Sequence, residues 1–345
     1  MNKADLRSGR IAQPSEAVAR PGVARRPRVL GFLGAGGALV AVPGLAVWGS
    51  ASPDVATIKI VSTVLMYVAL AEAWNLLGGY AGYINFGSVI FLGLGAYTTA
   101  IASTATGLTP LATAPLAALV AAGAAMLIAV PAFRLRGDYF AVATFVLTLG
   151  LQQFAAVLGI TGGAFGRYLR PTVSSLDGAV RLFFFAFLGL AVLSVAVCFT
   201  LERTRWFSAL VAIREDEDAA EASGVAALGL KLRALALSTG LAGAAGGLFA
   251  YYHISYYPSH PFGPHWTFEA LLMTFIGGVG TLQGPVLGAI LYVFLKEYLT
   301  VRWVDFHLLI FGVLFIAIVL LFPGGLVQAT EGAQRWLTRR PGRMT

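Results

Sequence analysis

Residues 181–201 read RLFFFAFLGLAVLSVAVCFTL, an apolar run whose only charged residue is Arg181 at its first position. A helix needs about 20 apolar residues to cross the hydrocarbon core of a bilayer, which is about 30 Å thick. This run has that length, and no proline interrupts it. The stretch therefore predicts a membrane-spanning helix.

The composition of the whole chain extends this prediction beyond one helix. Of 345 residues, 58% are hydrophobic and 12% are charged, and the mean hydropathy is +0.78. Soluble domains carry about 25% charged residues, so this chain lacks the polar residues that a soluble enzyme needs for its surface. High apolar content excludes a disordered chain, and the single cysteine, Cys198, excludes a disulfide scaffold. We expect an all-α polytopic membrane protein.

Apolar runs along the chain give about ten candidate transmembrane helices, some of them short or broken. They cover residues 29–49, 55–77, 84–103, 111–133, 139–159, 181–201, 232–252, 267–282, 284–300 and 304–323. The runs 267–282 and 284–300 meet at a glycine-rich break, so this part either crosses twice or re-enters. The break contains Gly277, Gly278, Gly280, Gly284 and Pro285. The uncharged segment 78–83 is either a turn or a break within the membrane.

The basic residues predict the orientation of these spans. With ten crossings, the regions 1–28, 134–138, 202–233 and 324–345 fall on one side, and they hold 18 of the 24 basic residues. Because basic residues stay in the cytoplasm, both termini are predicted to be cytoplasmic. Residues 1–28 are then a basic arm, 29–323 a transmembrane domain and 324–345 a cytoplasmic tail. The net charge of +8 reflects topology and anionic lipid and does not indicate nucleic-acid binding.

No catalytic residues or metal ligands stand out. His253, His260 and His265 share an aromatic segment, but their spacings match no helical pair of ligands, and cysteine and acidic partners are missing nearby. An interfacial aromatic loop is the favoured interpretation, and a metal site is the alternative. The chain also lacks a Gly-x-x-x-x-Gly-Lys-Ser/Thr loop, so ATP, if needed, is bound by another polypeptide. We expect a non-enzymatic chain without a cofactor of its own.

The long polar segment 202–230 contains a candidate docking helix. Ser208 is a candidate N-cap, alanine and acidic residues follow it, and Gly224 is a candidate C-terminal stop. Small alanine side chains leave room for a partner surface to close on such a helix. The alternative is an ordinary solvated connector.

A pattern in this segment is shared with a known family. Asp218-Ala219-Ala220, three residues and Gly224 resembles the Glu-Ala-Ala…Gly loop of bacterial ABC-importer permeases, with Asp in place of Glu. The fuller run 212–222, AIREDEDAAEA, resembles more narrowly the LivM-type permeases for branched-chain amino acids. Further landmarks occur in the family's order: NLLGGYAGYINFG at 75–87, GLGAY at 93–97, LRGDYFA at 135–141, TGG at 161–163, GGVGT at 277–281 and PGGL at 323–326. The resemblance covers about 30–330.

This resemblance implies a type II ABC-importer permease-like fold in the bacterial inner membrane. Two partner ATPases would bind ATP and magnesium, a homologous second permease would complete the path, and a periplasmic binding protein would deliver a branched-chain or other hydrophobic amino acid. The coupling residues that it implies are Ala212, Arg214, Glu215, Asp218, Ala219, Ala220, Glu221 and Gly224. Tyr83 and Ser88 stand where the family commonly has other residues, so urea, short amides and aromatic acids are alternative substrates.

Glycine and polar residues near the end of the second span predict a translocation route. Acidic and amide side chains are costly in lipid and must face a partner or water. The candidates are Glu72, Asn75, Gly82, Asn85, Phe86, Gly87, Ser88 and, in the fifth span, Gln152. The alternative is close helix packing at glycines, with the amides satisfied inside the protein.

A self-sufficient secondary transporter or channel is the rival from another class. It needs coupling-ion carboxylates in the membrane, and Glu72, Glu269 and Glu297 are the only acidic residues in the spans away from the outer boundary. It also leaves the acidic, alanine-rich helix at 212–224 without a function.

Overall fold

The computed structural model describes residues 42–302, except Pro53, Arg136, 170–174 and Ile254, together with scattered positions between 310 and 327. The predicted arm 1–28 and most of the predicted tail lie outside the described residues. The helices are residues 42–51 (α1), Val55–Gly78 (α2), Ser88–Thr106 (α3), Pro110–Ala132 (α4), Asp138–Val157 (α5), Leu176–Glu202 (α6), Arg205–Glu215 (α7), Glu217–Ala222 (α8), Ala227–His253 (α9), His265–Gly277 (α10) and Gln283–Arg302 (α11).

Short elements complete the described chain. Two 3-10 helices, Gly159–Thr161 and Gly163–Phe165, follow α5. The strands Arg167–Tyr168 (β1) and Ser255–Tyr256 (β2) pair antiparallel. This ribbon joins the segment after α5 to the segment after α9.

Six of the described helices are long and apolar enough to cross a membrane, namely α2, α3, α4, α5, α6 and α9. They coincide with six of the predicted spans, which confirms an all-α polytopic membrane protein. α10 has 13 residues and α11 has 20, and they are separated at the predicted glycine-rich break. The number of ten stays a prediction, since the predicted spans 29–49 and 304–323 lie largely outside the described residues.

Local sequence signals explain where the helices begin. Asp54 caps α2, because its carboxylate accepts a hydrogen bond from the Ala56 N–H at 3.0 Å. α3 starts only at Ser88, four residues later than the predicted span 84–103. The reason is Asn85, whose Oδ1 accepts a hydrogen bond from the Gly87 N–H at 2.8 Å and holds the preceding residues in a turn.

α9 lies at the centre of the bundle. Of the residues in its apolar, membrane-spanning stretch, 72% are buried inside the protein. It packs against α3 and α4 and also contacts α2 and α6. Glycines make the close approach possible: a Cβ at Gly95 would overlap the Gly243 carbonyl, and a Cβ at Gly246 would overlap the Leu92 carbonyl. Close van der Waals packing of this kind is a main attraction between helices in lipid.

α4 and α5 form an outer face of the bundle. Only 28% of the residues in the membrane-spanning stretch of α4, and 22% of those in α5, are buried inside the protein. The side chains that they expose include Leu119, Leu127, Val146 and Val157. Such an aliphatic surface suits lipid or another apolar protein surface.

Loop contacts place several connections at one end of the bundle. The loop 79–87, between α2 and α3, hydrogen-bonds to residues of the segment 202–231. The turn 278–282, between α10 and α11, hydrogen-bonds to Asn75 at the end of α2. The three connections therefore share one end of the bundle.

Candidate functional site

The predicted docking helix at 208–224 is two helices. α7 begins at Arg205 with Thr204 as its N-cap residue, so the prediction that Ser208 is the cap is wrong. The segment ends as predicted at Gly224, whose φ of +88° is the left-handed conformation that glycine adopts most easily.

Asp216 separates the two helices. Its backbone is extended (φ −159°, ψ 106°), and its Oδ1 accepts a hydrogen bond from the Ala219 N–H at 3.0 Å. The prediction of one continuous helix is therefore wrong, because this aspartate caps α8 and does not continue α7.

α7 and α8 have a packed face and an open face. Leu210, Ile213 and Ala220 are buried. The exposed residues include Arg214, Glu215, Asp218, Ala219, Glu221, Ala222 and Gly224. The prediction that Ala220 receives a partner needs correction, since this side chain is 6% exposed and packs inside the chain. Ala212 is partly buried against the same core.

Lys231, near the start of α9, holds α8 against the bundle. Its Nζ lies 2.6 Å from Glu217 Oε1 and donates a hydrogen bond to the Tyr83 hydroxyl at 3.0 Å. The Tyr83 hydroxyl in turn donates to Glu217 Oε2. We call these three side chains the Lys231 anchor. The Lys231 and Glu217 side chains are only 3% and 13% exposed, so the charges are shielded from solvent.

Aromatic rings surround this anchor. Lys231 Nζ lies 4.7 Å from the centroid of the Tyr83 ring and 5.2 Å from that of Phe133. Phe140 meets the Tyr83 ring edge-on at a centroid distance of 5.2 Å. Phe133 follows α4 and Phe140 lies in the first turn of α5, so the anchor also contacts the connection between those helices. The ring faces stabilise the ammonium group by cation–π attraction.

Arg214 forms a second link between α7 and the loop 79–87. Its Nη1 donates a hydrogen bond to the Gly79 carbonyl at 2.8 Å. A Cβ at Gly82 would come within 2.8 Å of Arg214 Cγ, and one at Gly280 within 2.6 Å of Arg214 Nη1. Both glycines have positive φ. Arg214 therefore fits between two loops that glycine allows to approach it closely.

Asn75 connects α2 to the turn 278–282. Its Nδ2 donates to the Thr281 carbonyl at 3.1 Å, and its Oδ1 accepts from the Gly280 N–H at 2.9 Å. The side chain is completely buried. These bonds favour the packing alternative for Asn75 over a residue that lines an aqueous route.

Glu72 lies one helical turn before Asn75 and is also completely buried. Its carboxyl oxygens have no hydrogen-bond partner among the residues that the structure describes. A buried carboxyl without a partner is costly in a protein interior. Glu72 therefore remains a candidate for function, and its role stays a prediction.

The other predicted pathway residues surround the N-terminus of α3. The Ser88 hydroxyl lies 3.0 Å from that of Thr267 in α10, and the Phe86 N–H donates to Thr144 Oγ1 in α5 at 3.2 Å. Asn85 and Gly87 form the turn that precedes α3. These residues join α3, α5 and α10 at one place.

Gln152 does not belong to this group. Its Nε2 donates to the Ser259 carbonyl at 3.5 Å, in the segment between α9 and α10. His260 lies in the same segment, and its ring is 5.1 Å from that of His253, the last residue of α9. Among the described residues, no group of three His, Cys, Asp or Glu side chains is arranged to hold a metal ion.

A second lysine–glutamate–tyrosine cluster lies between α2, α10 and α11. Lys296 Nζ lies 2.6 Å from Glu269 Oε1 and 3.2 Å from the Tyr67 hydroxyl, which donates to Glu269 Oε2. Glu269, a candidate carboxylate of the rival transporter, is therefore paired with a cation of the same chain.

The sequence prediction misses the structural importance of Lys231 and Glu217. From the sequence, Lys231 is only one of the basic residues that predict the orientation of the spans. It nevertheless lies four residues after Ala227 in an apolar helix. A lysine inside such a helix must find a partner, and that rule is the available signal. The partner itself depends on tertiary packing.

Comparisons with known proteins are consistent with this architecture. Residues 56–319 match the family described as "Branched-chain amino acid transport system / permease component". The chain is 30% identical to the "High-affinity branched-chain amino acid transport system permease protein LivM" of Escherichia coli strain K12, over 80% of this chain and 71% of that protein. The protein of the same name in Salmonella typhimurium strain LT2 gives the same values.

A more distant relative comes from an archaeon. The "Probable branched-chain amino acid transport permease protein LivM" of Methanocaldococcus jannaschii is 26% identical over 57% of this chain and 62% of that protein. No solved structure matches the chain significantly.

Proposed function

This chain belongs to the family of permease components of branched-chain amino acid transport systems, and we propose that it is the transmembrane permease subunit of an ATP-driven ABC importer. Its relatives are named as branched-chain amino acid permeases, which supports leucine, isoleucine and valine as its substrates. The chain supplies the path and not the chemistry, because ATP hydrolysis takes place on partner subunits.

The open face of α7 and α8 is the observation that carries this proposal. It presents Glu215, Asp218, Ala219, Glu221 and Ala222 at the end of the bundle where the loop 79–87 and the turn 278–282 also lie. Small and charged side chains on a helix pair that projects from a membrane bundle suit insertion into a cleft of a soluble partner. We assign this face to the ATPase subunit.

We further propose the orientation of the chain and its remaining partners. The end with α7 and α8 is cytoplasmic, both termini are cytoplasmic, and the segment between α9 and α10 faces the periplasm, where a binding protein delivers ligand. A homologous second permease and a second ATPase complete the complex in the inner membrane. The basic residues around the segment 202–233 support this orientation.

Purification of the tagged native complex in mild detergent, followed by mass spectrometry of every copurifying chain, tests the proposal. We expect ATP-binding cassette subunits and a second, similar permease. Recovery of this chain alone, at native expression and in more than one mild detergent, would contradict the proposal and favour the secondary transporter.

A matched pair of substitutions tests the docking face itself. Ala219 and Ala105 are both exposed, but Ala105 lies near the C-terminus of α3, away from the loop 79–87 that precedes that helix. Ala219→Trp should abolish copurification of the ATPase, because the large ring blocks the cleft contact. Ala105→Trp should retain it. Equal recovery of the ATPase with both variants would show that the ATPase does not dock on this face.

A further inference from the structure

Two of the links described above connect α7 and α8 to the same loop. Arg214 of α7 bonds to the Gly79 carbonyl, and Glu217 of α8 bonds to the Tyr83 hydroxyl. Gly79 and Tyr83 both lie in the loop 79–87, which leads directly into α3. A shift of the two short helices therefore acts on the start of α3 through two independent contacts.

The Lys231 anchor adds a third connection, to the central helix. Lys231 lies in the first turns of α9, and its ion pair with Glu217 is almost fully shielded from solvent. α9 packs against α2, α3, α4 and α6. A displacement of Glu217 would therefore move Lys231 and, through it, α9, which contacts four other spanning helices.

A buried ion pair contributes little net stability to the attachment of a short helix. Burying two charges carries a large desolvation penalty, and apolar residues of similar size often give equal or greater stability. What a hydrogen-bonded ion pair does supply is a defined geometry, because the ammonium, carboxylate and hydroxyl groups fit together in only a few arrangements. The anchor therefore specifies the position of α8 more than it stabilises the fold.

We infer that Lys231, Glu217 and Tyr83 are positioning residues that couple the movement of α8 to α9 and to the loop 79–87 during transport. The inference rests on the proposed function, since it assumes that an ATPase moves α7 and α8. Loss of the anchor leaves the ATPase bound and active, while its movement no longer reaches α9 and reaches the loop 79–87 only through the bond of Arg214 to the Gly79 carbonyl. The measurable consequence is ATP hydrolysis without the corresponding uptake.

The test uses the complete complex reconstituted in liposomes, with labelled leucine and the binding protein on one side and ATP on the other. The quantity measured is leucine transported per ATP hydrolysed. We expect Lys231→Met and Glu217→Gln to lower this ratio about tenfold, within the range of coupling factors between linked sites, while ATPase copurification is unchanged. Lys231→Arg keeps the charge and should restore part of the ratio.

The second lysine–glutamate–tyrosine cluster provides the matched control. Glu269→Gln breaks an ion pair of the same chemistry whose partners, Lys296 and Tyr67, lie outside α7 and α8. It should lower uptake and hydrolysis together, through a smaller folded fraction, and leave their ratio unchanged. A ratio that falls equally in Glu269→Gln and Glu217→Gln would overturn the inference.

The double variant Lys231→Met with Glu217→Gln separates positioning from stability. It removes both charges of the pair, so a purely structural role predicts that the yield and the transport ratio both recover. A positioning role predicts recovery of the yield alone, and recovery of the ratio would overturn the inference. If the wild-type complex itself shows no ATP-dependent uptake, the proposed function fails, which is a distinct outcome.

Discussion

At the scale of the residue, Asn75 shows what a buried amide does in this membrane protein. It bonds to the carbonyl of a residue 206 positions away, in the turn 278–282. Its removal would take these two bonds from the Gly280 N–H and the Thr281 carbonyl, which are partly buried, and each such bond contributes about 0.5–1.5 kcal/mol. Asn75 therefore fixes the distance between α2 and the turn after α10.

Gly288 allows α11 to pack closely against α10. A Cβ at this residue of α11 would overlap the Met273 carbonyl in α10. We predict that Gly288→Ala lowers the free energy of unfolding by about 1–3 kcal/mol, the usual cost of overpacking. Thermal unfolding of the protein in detergent measures the effect.

Gly189→Ala is the control for that prediction. Gly189 lies in α6 and is exposed, and a Cβ at this position would meet open space. Alanine is the better helix former, so stability should stay the same or rise by up to about 1 kcal/mol. If both variants lose the same free energy of unfolding, close packing of α10 on α11 does not explain the effect of Gly288→Ala.

The ion pair between Glu269 and Lys296 should be stabilising only as a pair. Removal of one partner of a fully buried pair costs about 3–5 kcal/mol, and the 35% exposure of the Lys296 side chain reduces this to about 1–3 kcal/mol. We predict such a loss for Glu269→Gln in thermal unfolding. Glu269→Gln combined with Lys296→Met should regain most of it, and an additive loss would contradict the pairing.

At the scale of the element, the break at Asp216 sets the shape of the proposed docking face. Loss of an N-cap side chain costs about 1 kcal/mol, or about fivefold in an opening equilibrium. Asp216→Ala should therefore raise hydrogen exchange at the amides of α8 about fivefold. Asp216→Asn keeps a capping oxygen and should exchange like the wild type. Faster exchange in both variants would show that charge, and not capping, holds α8.

The elements differ in how far the sequence predicts them. Spans such as α6 follow from an uninterrupted apolar length, which is a local property. The division of the docking helix at Asp216 does not, because aspartate in an acidic, alanine-rich run is compatible with either a cap or a helix interior. The start of α3 at Ser88 escapes prediction for a similar reason, since Asn85 bonds to the backbone of Gly87.

The sequence predicts the site only as separate groups of residues. Arg214 is a candidate for coupling and Gly82 a candidate for the pathway, and only the fold brings them into contact. The bond between Glu217 and Tyr83 joins residues 134 positions apart, which no local pattern encodes. Most of the participants can therefore be named from the sequence, while tertiary packing determines which of them act together.

At the scale of the whole molecule, the described helices form a centre and an outer face. Among the described spanning helices, α9 is the most buried, and α4 and α5 are the most exposed. Contacts from α7 and α8 reach the central helix through Lys231 and α3 through the loop 79–87. An ATPase that binds α7 and α8, as we propose, would therefore be connected to the helices that packing places at the centre.

We propose that ATP hydrolysis on partner subunits drives transport through this chain. Uptake of labelled leucine into liposomes that contain the complete complex tests it most directly. We predict uptake that requires both ATP and the binding protein, and for which leucine, isoleucine and valine compete. Uptake by this chain alone, driven by an ion gradient and independent of ATP, would contradict ATP-driven import.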